Sequence, residues 1–179
     1  RQPLLAPTSL TLERGHAIAI RGRNGSGKTT LLRVLTGAQR PSSGSALVFG
    51  APVDVRNLQL RRRLAALLGP PPLARELTVR EHLRFIAATW GIEAVDAAAD
   101  ALLDDLGIAH LGRRFGHELS SGQSQLFALA MTLIRPFDVL VLGPSVEGGT
   151  IVRGIIVGVM RMEDEKGLDS KVVVSRLGA

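Results

Sequence analysis

The segment Gly22–Thr30, GRNGSGKTT, constrains this chain more than any other. Residues Gly22 to Thr29 match the spacing G-x-x-x-x-G-K-[ST] in full. Glycines let backbone N–H groups turn inward around phosphates without a clash at Cβ. Lys28 can reach the β- and γ-phosphates, and the Thr29 hydroxyl can ligate Mg²⁺. A helix opening at Gly27 adds the positive end of its dipole. The context fits. The apolar run His16–Ile20, HAIAI, reads as a strand entering the loop, and KTTLLRVLTG then places Leu31, Leu32 and Leu35 at helical spacing with Gly37 as a stop. A Gly-rich turn with an exposed lysine is the bland alternative, and strand-before, helix-after argues against it. The loop asks for ATP or GTP rather than for a dinucleotide, whose fingerprint is G-x-G-x-x-G.

The rest of the chain alternates strand and helix patterns around one long helical stretch. Ala46–Phe49 follows the turn PSSGS as a strand, and Leu64–Leu68, LAALL, is a buried strand ended by the cluster GPPP. Thr78 is an N-cap candidate, with Glu81 three residues on completing a capping box. In VDAAADALLDDLG the residues Val95, Ala99, Leu102 and Leu106 share one face. SSGQSQLFALAMTLI opens on serine as a third helix. Val139–Leu142 reads as a strand, IVRGIIVGVMRMEDEKG as a helix and KVVVS as a final strand. Such alternation predicts an α/β fold with a mostly parallel sheet, interrupted by a helical insertion from about 78 to 134.

Composition narrows the class. A length of 179 residues fits one domain with a sizeable core, 45% of it hydrophobic. Aromatics are only 3%, so the core is built from Leu, Val, Ile and Ala. No cysteine means no disulfide framework and no thiolate metal site. The net charge of +6 reads either as a solvated basic surface or as attraction to phosphates, an acidic membrane surface or an acidic partner. Aromatics do not interleave with the arginines, which argues against nucleic acid as a partner. No apolar run approaches the ~18–20 residues of a membrane-spanning helix, and none reads as a secretory leader. Action at a membrane would therefore need separate membrane-embedded partners.

The loop alone allows a kinase, a GTPase or an ATPase. Leu119–Gln123, LSSGQ, separates them. Serine and glycine N–H groups at a helix start suit an anion, although either serine could be simply an N-cap. Taken with the phosphate loop, this segment resembles the signature of the nucleotide-binding domain of ATP-binding cassette (ABC) proteins, with Ser121 where a second glycine is commoner. GRNGSGKTTLLRVLTG resembles that family's Walker A segment, PSSGSALVFG its next turn and strand, and ELTVREHLRF the opening of its helical subdomain. The resemblance is specific from about Leu10 to Leu142.

The resemblance implies a P-loop NTPase (RecA-like) fold, with a mostly parallel core over about 1–72 and 135–179 and a helical subdomain over about 73–134, together a single domain. It implies that Asn24, Gly25, Ser26, Gly27, Lys28, Thr29 and Thr30 hold the phosphates of ATP and its Mg²⁺, with Thr29 as the metal ligand. Ser120, Gly122 and Gln123 would face the γ-phosphate of ATP held by a second nucleotide-binding domain, in a head-to-tail homo- or heterodimer. It further implies membrane-spanning transporter subunits as partners and a cytoplasmic, peripheral place at the inner face of the membrane.

Departures from the family pattern fall on the hydrolytic side. No glutamine lies between Gln59 and Gln123, where the family carries one before the helical subdomain; Gly69 or Pro70 stands near that position. Val139–Leu142 resembles the Walker B strand, but Gly143 and Pro144 follow where the family has aspartate and glutamate. Asp138 precedes that strand, and Glu147 lies beyond it as a loop acid. Val172–Leu177 resembles the last strand, with Arg176 and Leu177 in the region of the family's histidine, and Thr150 stands near the place of an aspartate that crosses the dimer. His16, His82, His110 and His117 read as surface or core residues. Arg61–Arg63 reads as a solvated edge, and Asp96, Asp100, Asp104 and Asp105 as a solvated helix face. No catalytic residue is assigned. The leading expectation is an ATP-binding transporter subunit whose own hydrolysis is in doubt; the alternative is a non-catalytic ATP-binding module. A soluble two-cassette protein would need a second cassette, and a P-loop kinase leaves LSSGQ without a role.

Overall fold

A computed structural model describes residues 8–13, 15–20, 22–143, 155–159 and 172–178. The elements in chain order are strands β1 (Thr8–Leu12) and β2 (Ala17–Ile20), helix α1 (Lys28–Leu35), strands β3 (Ser43–Val48) and β4 (Ala51–Pro52), helix α2 (Leu58–Arg63) and strand β5 (Leu64–Leu67). Helices α3 (Val79–Thr89), α4 (Val95–Asp105) and α5 (Ser121–Leu133) follow, then strands β6 (Val139–Leu142), β7 (Ile155–Val159) and β8 (Val172–Gly178). The chain divides into two compact units, one holding the strands with α1 and α2, the other built on Gly69–Pro136.

The first unit contains two four-stranded sheets. One has the order β2-β7-β6-β5. In it β5 and β6 pair in parallel, from Leu64 opposite Val139 to Leu67 opposite Leu142. Strand β7 pairs antiparallel with both β2 and β6. Hence β2, β5 and β6 run one way, and β7 alone runs against them. The segment expected as a helix after residue 150 thus contains a strand. Its Ile155–Val159 core, IIVGV, is rich in β-branched residues, which fit a pleated surface better than a helix. The other sheet, β1-β8-β3-β4, is antiparallel at every pairing. Its β3–β4 hairpin turns on Phe49 and Gly50, both at positive φ, as a two-residue turn matched to strand twist requires.

Helix α1 covers this unit's core. Leu31, Leu32, Val34 and Leu35 are buried and cluster with Ala46 and Val48 of β3, Leu64 of β5, and Val139 and Val141 of β6. The helix period puts the leucines on one side; the strand period puts both valines of VLVL on the same face. Truncating Leu32 to alanine in such a site costs about 2–5 kcal/mol.

In the second unit Val79, Leu83 and Ala87 of α3 pack with Ala99 and Leu103 of α4 and with Phe127 and Ala130 of α5. Ala99 and Leu103 are the fully buried positions of α4, with Val95, Leu102 and Leu106 half-buried around them. The acids of α4 lie on a solvent-facing side, and two of them pair with arginines of α3. Asp96 pairs with Arg84 at 2.9 Å, and Asp100 pairs with Arg80, tying α4 to α3. His82 is the buried histidine. Its Nδ1 lies 2.9 Å from the Thr78 carbonyl, its Nε2 accepts from the Ala74 N–H at 3.0 Å, and its ring meets Phe127 edge-on. Those bonds require a neutral ring protonated on Nδ1.

The start of α3 has its donors occupied. The Thr78 hydroxyl accepts from Glu81 N–H, and the Glu81 carboxylate accepts from Thr78 N–H at 2.8 Å. The Val79 and Arg80 N–H groups donate to the Arg114 and Gly112 carbonyls. The Thr78 backbone bond, and then its hydroxyl, hold the Glu81 carboxyl below its ordinary value of 4.5. A carboxyl depressed by folding contributes stability above its unfolded value and loses that contribution as pH falls through its folded value. The stability difference between the native chain and Glu81→Ala should thus be constant from pH 7 to about 5 and close progressively below pH 4.5. Urea unfolding of both proteins across this range checks it; a gap that widens in acid contradicts the capping box.

Candidate functional site

The loop between β2 and α1 is shaped by two opposite uses of glycine. Gly25 and Gly27 sit at φ 82° and 85°, in the left-handed region that side-chain-bearing residues avoid. At Gly25 a Cβ would meet nothing within 4 Å, so conformation and not space demands glycine there. At Gly22 space decides, because a Cβ would lie 2.6 Å from Ser26 Oγ. A turn closes within the loop, Ser26 N–H donating to the Arg23 carbonyl at 3.2 Å.

This loop delivers the chain into a helix start that no side chain caps. Gly27 is the N-cap of α1, it offers no side-chain acceptor, and the first turn holds no acid. The ladder opens with Leu31 N–H to the Gly27 carbonyl at 2.9 Å. The N–H groups of Lys28, Thr29 and Thr30 therefore precede it and point out of the helix end. Lys28 Nζ donates to the carbonyls of Gly22 at 2.7 Å and Arg23 at 2.8 Å, which fixes the ammonium over the loop and leaves it a third N–H. Asn24, Gly25, Ser26 and Thr29 are exposed; Gly27, Lys28 and Thr30 are half-buried. A positive helix end, a fixed ammonium and outward N–H groups together make an anion site of the size of a phosphate chain.

Ser120, Gly122 and Gln123 lie in the second unit, at the start of α5. Ser120 is the N-cap. Its Oγ accepts from Gln123 N–H at 3.4 Å, and Gln123 Oε1 accepts from Ser120 N–H at 3.0 Å. The capping reading of this serine is therefore real, and it leaves the Ser120 O–H and the Gln123 amide N–H₂ as donors. Ser120 and Gly122 are exposed.

The sheet register locates the acids relative to the loop. Ile18 and Val141 both stand opposite Val157, and Ile20 stands opposite Ile155. Continuing β6 past Leu142, which faces Ile156, brings Gly143 level with Ile20, the last residue of β2. One intervening strand separates them, about 10 Å at ordinary strand spacing. The position that looks across at the loop is thus Gly143, and it carries no side chain. Asp138 stands at the opposite end of β6, about 17 Å away along the strand. Its carboxylate pairs with Arg63, and its N–H donates to the Arg63 carbonyl at 2.7 Å. Arg63 also stacks over the Phe49 ring at 3.6 Å, so this arginine is a structural link and not part of a solvated edge. Neither charge was assigned a partner from sequence, because the pair spans 75 residues and only the parallel β5–β6 register joins them.

Thr29 presents an exposed hydroxyl side chain beside the loop; among the described residues no group of three or more His, Asp or Glu could hold a metal ion. Strand β8, which carries Arg176 and Leu177, lies in the other sheet, between β1 and β3, and not beside the loop. Pro144, Glu147 and Thr150 lie outside the described residues. Among the histidines, His16, His110 and His117 are exposed and His82 is internal to the second unit.

Comparison with known proteins places these features. The family model for ABC transporters matches residues 5–143. A second model, for inorganic pyrophosphatase, matches residues 135–177. The chain is 36% identical over 142 residues to a methionine import ATP-binding protein of Paraburkholderia xenovorans, covering 76% of this chain and 37% of that protein. It is 35% identical over 129 residues to a spermidine/putrescine import ATP-binding protein of Chromobacterium violaceum, covering 70% of this chain and 35% of that one. Among solved structures it superimposes on cbiO1 of Clostridium perfringens, part of the ABC transporter complex cbiONQ, with a TM-score of 0.58 and 30% identity, over 68% of this chain and 51% of that one. The chain thus spans little more than a third of the length of these two import proteins.

Because Asp138 is tied to Arg63 far from the loop, Asp138→Asn should act on stability alone. Both side chains are partly exposed, at 19% and 34%, so a loss of about 1 kcal/mol is expected in urea unfolding. Affinity for a magnesium nucleotide, read by fluorescence titration, should stay the same; a marked drop would return Asp138 to the site.

Proposed function

The chain belongs to the ABC transporter family, and from that premise we propose that it is an ATP-binding subunit coupling nucleotide binding to separate membrane-spanning subunits. The observation that carries this reading is the uncapped start of α1, with Lys28 pinned over the loop by two carbonyls. The relatives' names supply the transport context, since they are import ATP-binding proteins. No helix among the described residues is long and apolar enough to cross a membrane, which is consistent with separate membrane subunits. A peripheral place at the cytoplasmic face belongs to the same proposal.

In this reading the N–H groups of Asn24 to Thr30 surround the phosphates of ATP. Lys28 lies along the β- and γ-phosphates, and its third N–H supplies the charge-assisted bond. Thr29 offers its hydroxyl to Mg²⁺, whose remaining positions fall to phosphate oxygens and water, a distribution that suits this ion. Ser120, Gly122 and Gln123 form the second half of a site completed in a head-to-tail dimer. The capping box orients them: Ser120 Oγ accepts within the helix while its O–H and the Gln123 amide stay available to a γ-phosphate. Hydrolysis needs an oriented water and charge stabilisation beyond binding. Gly143 at the level of the loop provides neither, so the isolated chain is expected to hold ATP without turning it over.

Titration with mant-ATP and Mg²⁺ tests the proposal. Lys28→Ala removes a charge-assisted bond of about 1.5–3 kcal/mol and should weaken binding by about tenfold or more. Phosphate release should stay at background in both proteins. Equal affinity in the two would remove the loop from the site, and full turnover by the native chain would refute the account of β6.

A further inference from the structure

The missing hydrolytic groups share one feature: all but the glutamine fall after Ile134. Three observations change together there. The two family matches overlap only on residues 135–143, the stretch that contains β6. Composition breaks at the same place. Of the chain's 20 alanines, 19 precede residue 135, whereas 9 of its 15 valines follow residue 134. A helix-building sequence gives way to a strand-building one.

Topology is the third observation. An alternating α/β sheet keeps its strands parallel by returning the chain through a crossover helix. Strands β2, β5 and β6 obey that rule. Strand β7 follows β6 after 12 residues (143–154) and runs antiparallel between β2 and β6. β8 then joins the other sheet antiparallel to both neighbours.

The end of β6 is also tight for a side chain. A Cβ at Gly143 would lie 3.1 Å from the Leu67 carbonyl oxygen and 3.1 Å from Leu68 Cα. Both contacts are backbone, which yields less readily than a side-chain tip. The strand's one acid is at its start, where the Arg63 pair holds it.

We infer that the segment beyond residue 143, where the cassette match ends, has a different ancestry from the cassette part. Its described strands, β7 and β8, take sheet positions in place of a cassette's hydrolytic half. The chain is then not a cassette that lost its acids one by one. It is a nucleotide-holding half joined to a foreign strand set, and carboxylates placed on that set meet no surroundings made for them. The functional consequence rests on the ATP-binding reading above.

Two full-length variants separate the alternatives. The first carries Gly143→Asp, Pro144→Glu and Arg176→His, the groups a degenerate cassette tail would lack. The second exchanges residues 135–179 for the corresponding region of the Paraburkholderia methionine import protein. Mant-ATP affinity, measured alongside, reports the nucleotide reading separately from phosphate release. The triple variant should bind mant-ATP within about threefold of the native chain and release phosphate at background, while the exchanged chain should exceed background by about a hundredfold. Release by the triple variant about tenfold above the native chain overturns the inference. So does an exchanged chain that binds mant-ATP and stays at background. The triple variant leaves the strand set in place, so the inference remains refutable even where the exchanged chain does not fold.

Discussion

The site depends on a helix start left open. Helix α3 spends its first-turn N–H groups on Thr78, Arg114 and Gly112, and in α5 the Gln123 N–H donates to the Ser120 hydroxyl. Helix α1 begins on a left-handed glycine that has no side chain to offer. A serine or aspartate as the N-cap would stabilise an isolated helix over glycine by only about a few tenths of a kcal/mol and would fill the anion's place. The loop thus forgoes local stability to keep three N–H groups and an ammonium directed at one point. The buried leucines of α1 offset that cost from the opposite face of the same helix.

The sheet sets what that point can do. β2 delivers the loop, and the parallel strands β5 and β6 end at the same edge. This edge is where an open α/β sheet collects ligands and chemistry. Here it presents Gly143 backed by the Leu67–Leu68 backbone. The nearest acid in sequence among the described residues, Asp138, is held at the other edge by Arg63, which itself rests on Phe49. One strand length therefore separates a carboxylate that stabilises from one that would catalyse.

The helical unit is built from local rules reinforced by a few long-range ties. Capping boxes start α3 and α5, and two ion pairs clamp α3 to α4. His82 uses both ring nitrogens to anchor residues 74–78 to the first turn of α3, against the edge of Phe127. Ser120 and Gly122 of the signature are exposed. Their capping role and their proposed contact with phosphate are compatible, since a hydroxyl accepts one hydrogen bond while donating another.

Local chemistry made much of this legible. The phosphate loop, α1, the capping box at Thr78, the N-cap at Ser120 and the VLVL strand all follow from spacing and from residue types within a few positions. What stayed illegible depends on partners distant in the chain. The Arg63–Asp138 and Arg80–Asp100 pairs are not legible in the sequence, because no local rule brings their partners together. Leu103 was passed over because two neighbouring leucines fit nearly the same helical stripe. Strand β7 was taken for a helix because a short apolar run carries no period of its own. By itself, then, the sequence determined that a nucleotide can be held, since a few glycines, a lysine and a threonine decide that through the backbone. Tertiary structure alone decided that Gly143 stands level with the end of β2, one strand removed from the loop, because register between strands is a long-range property.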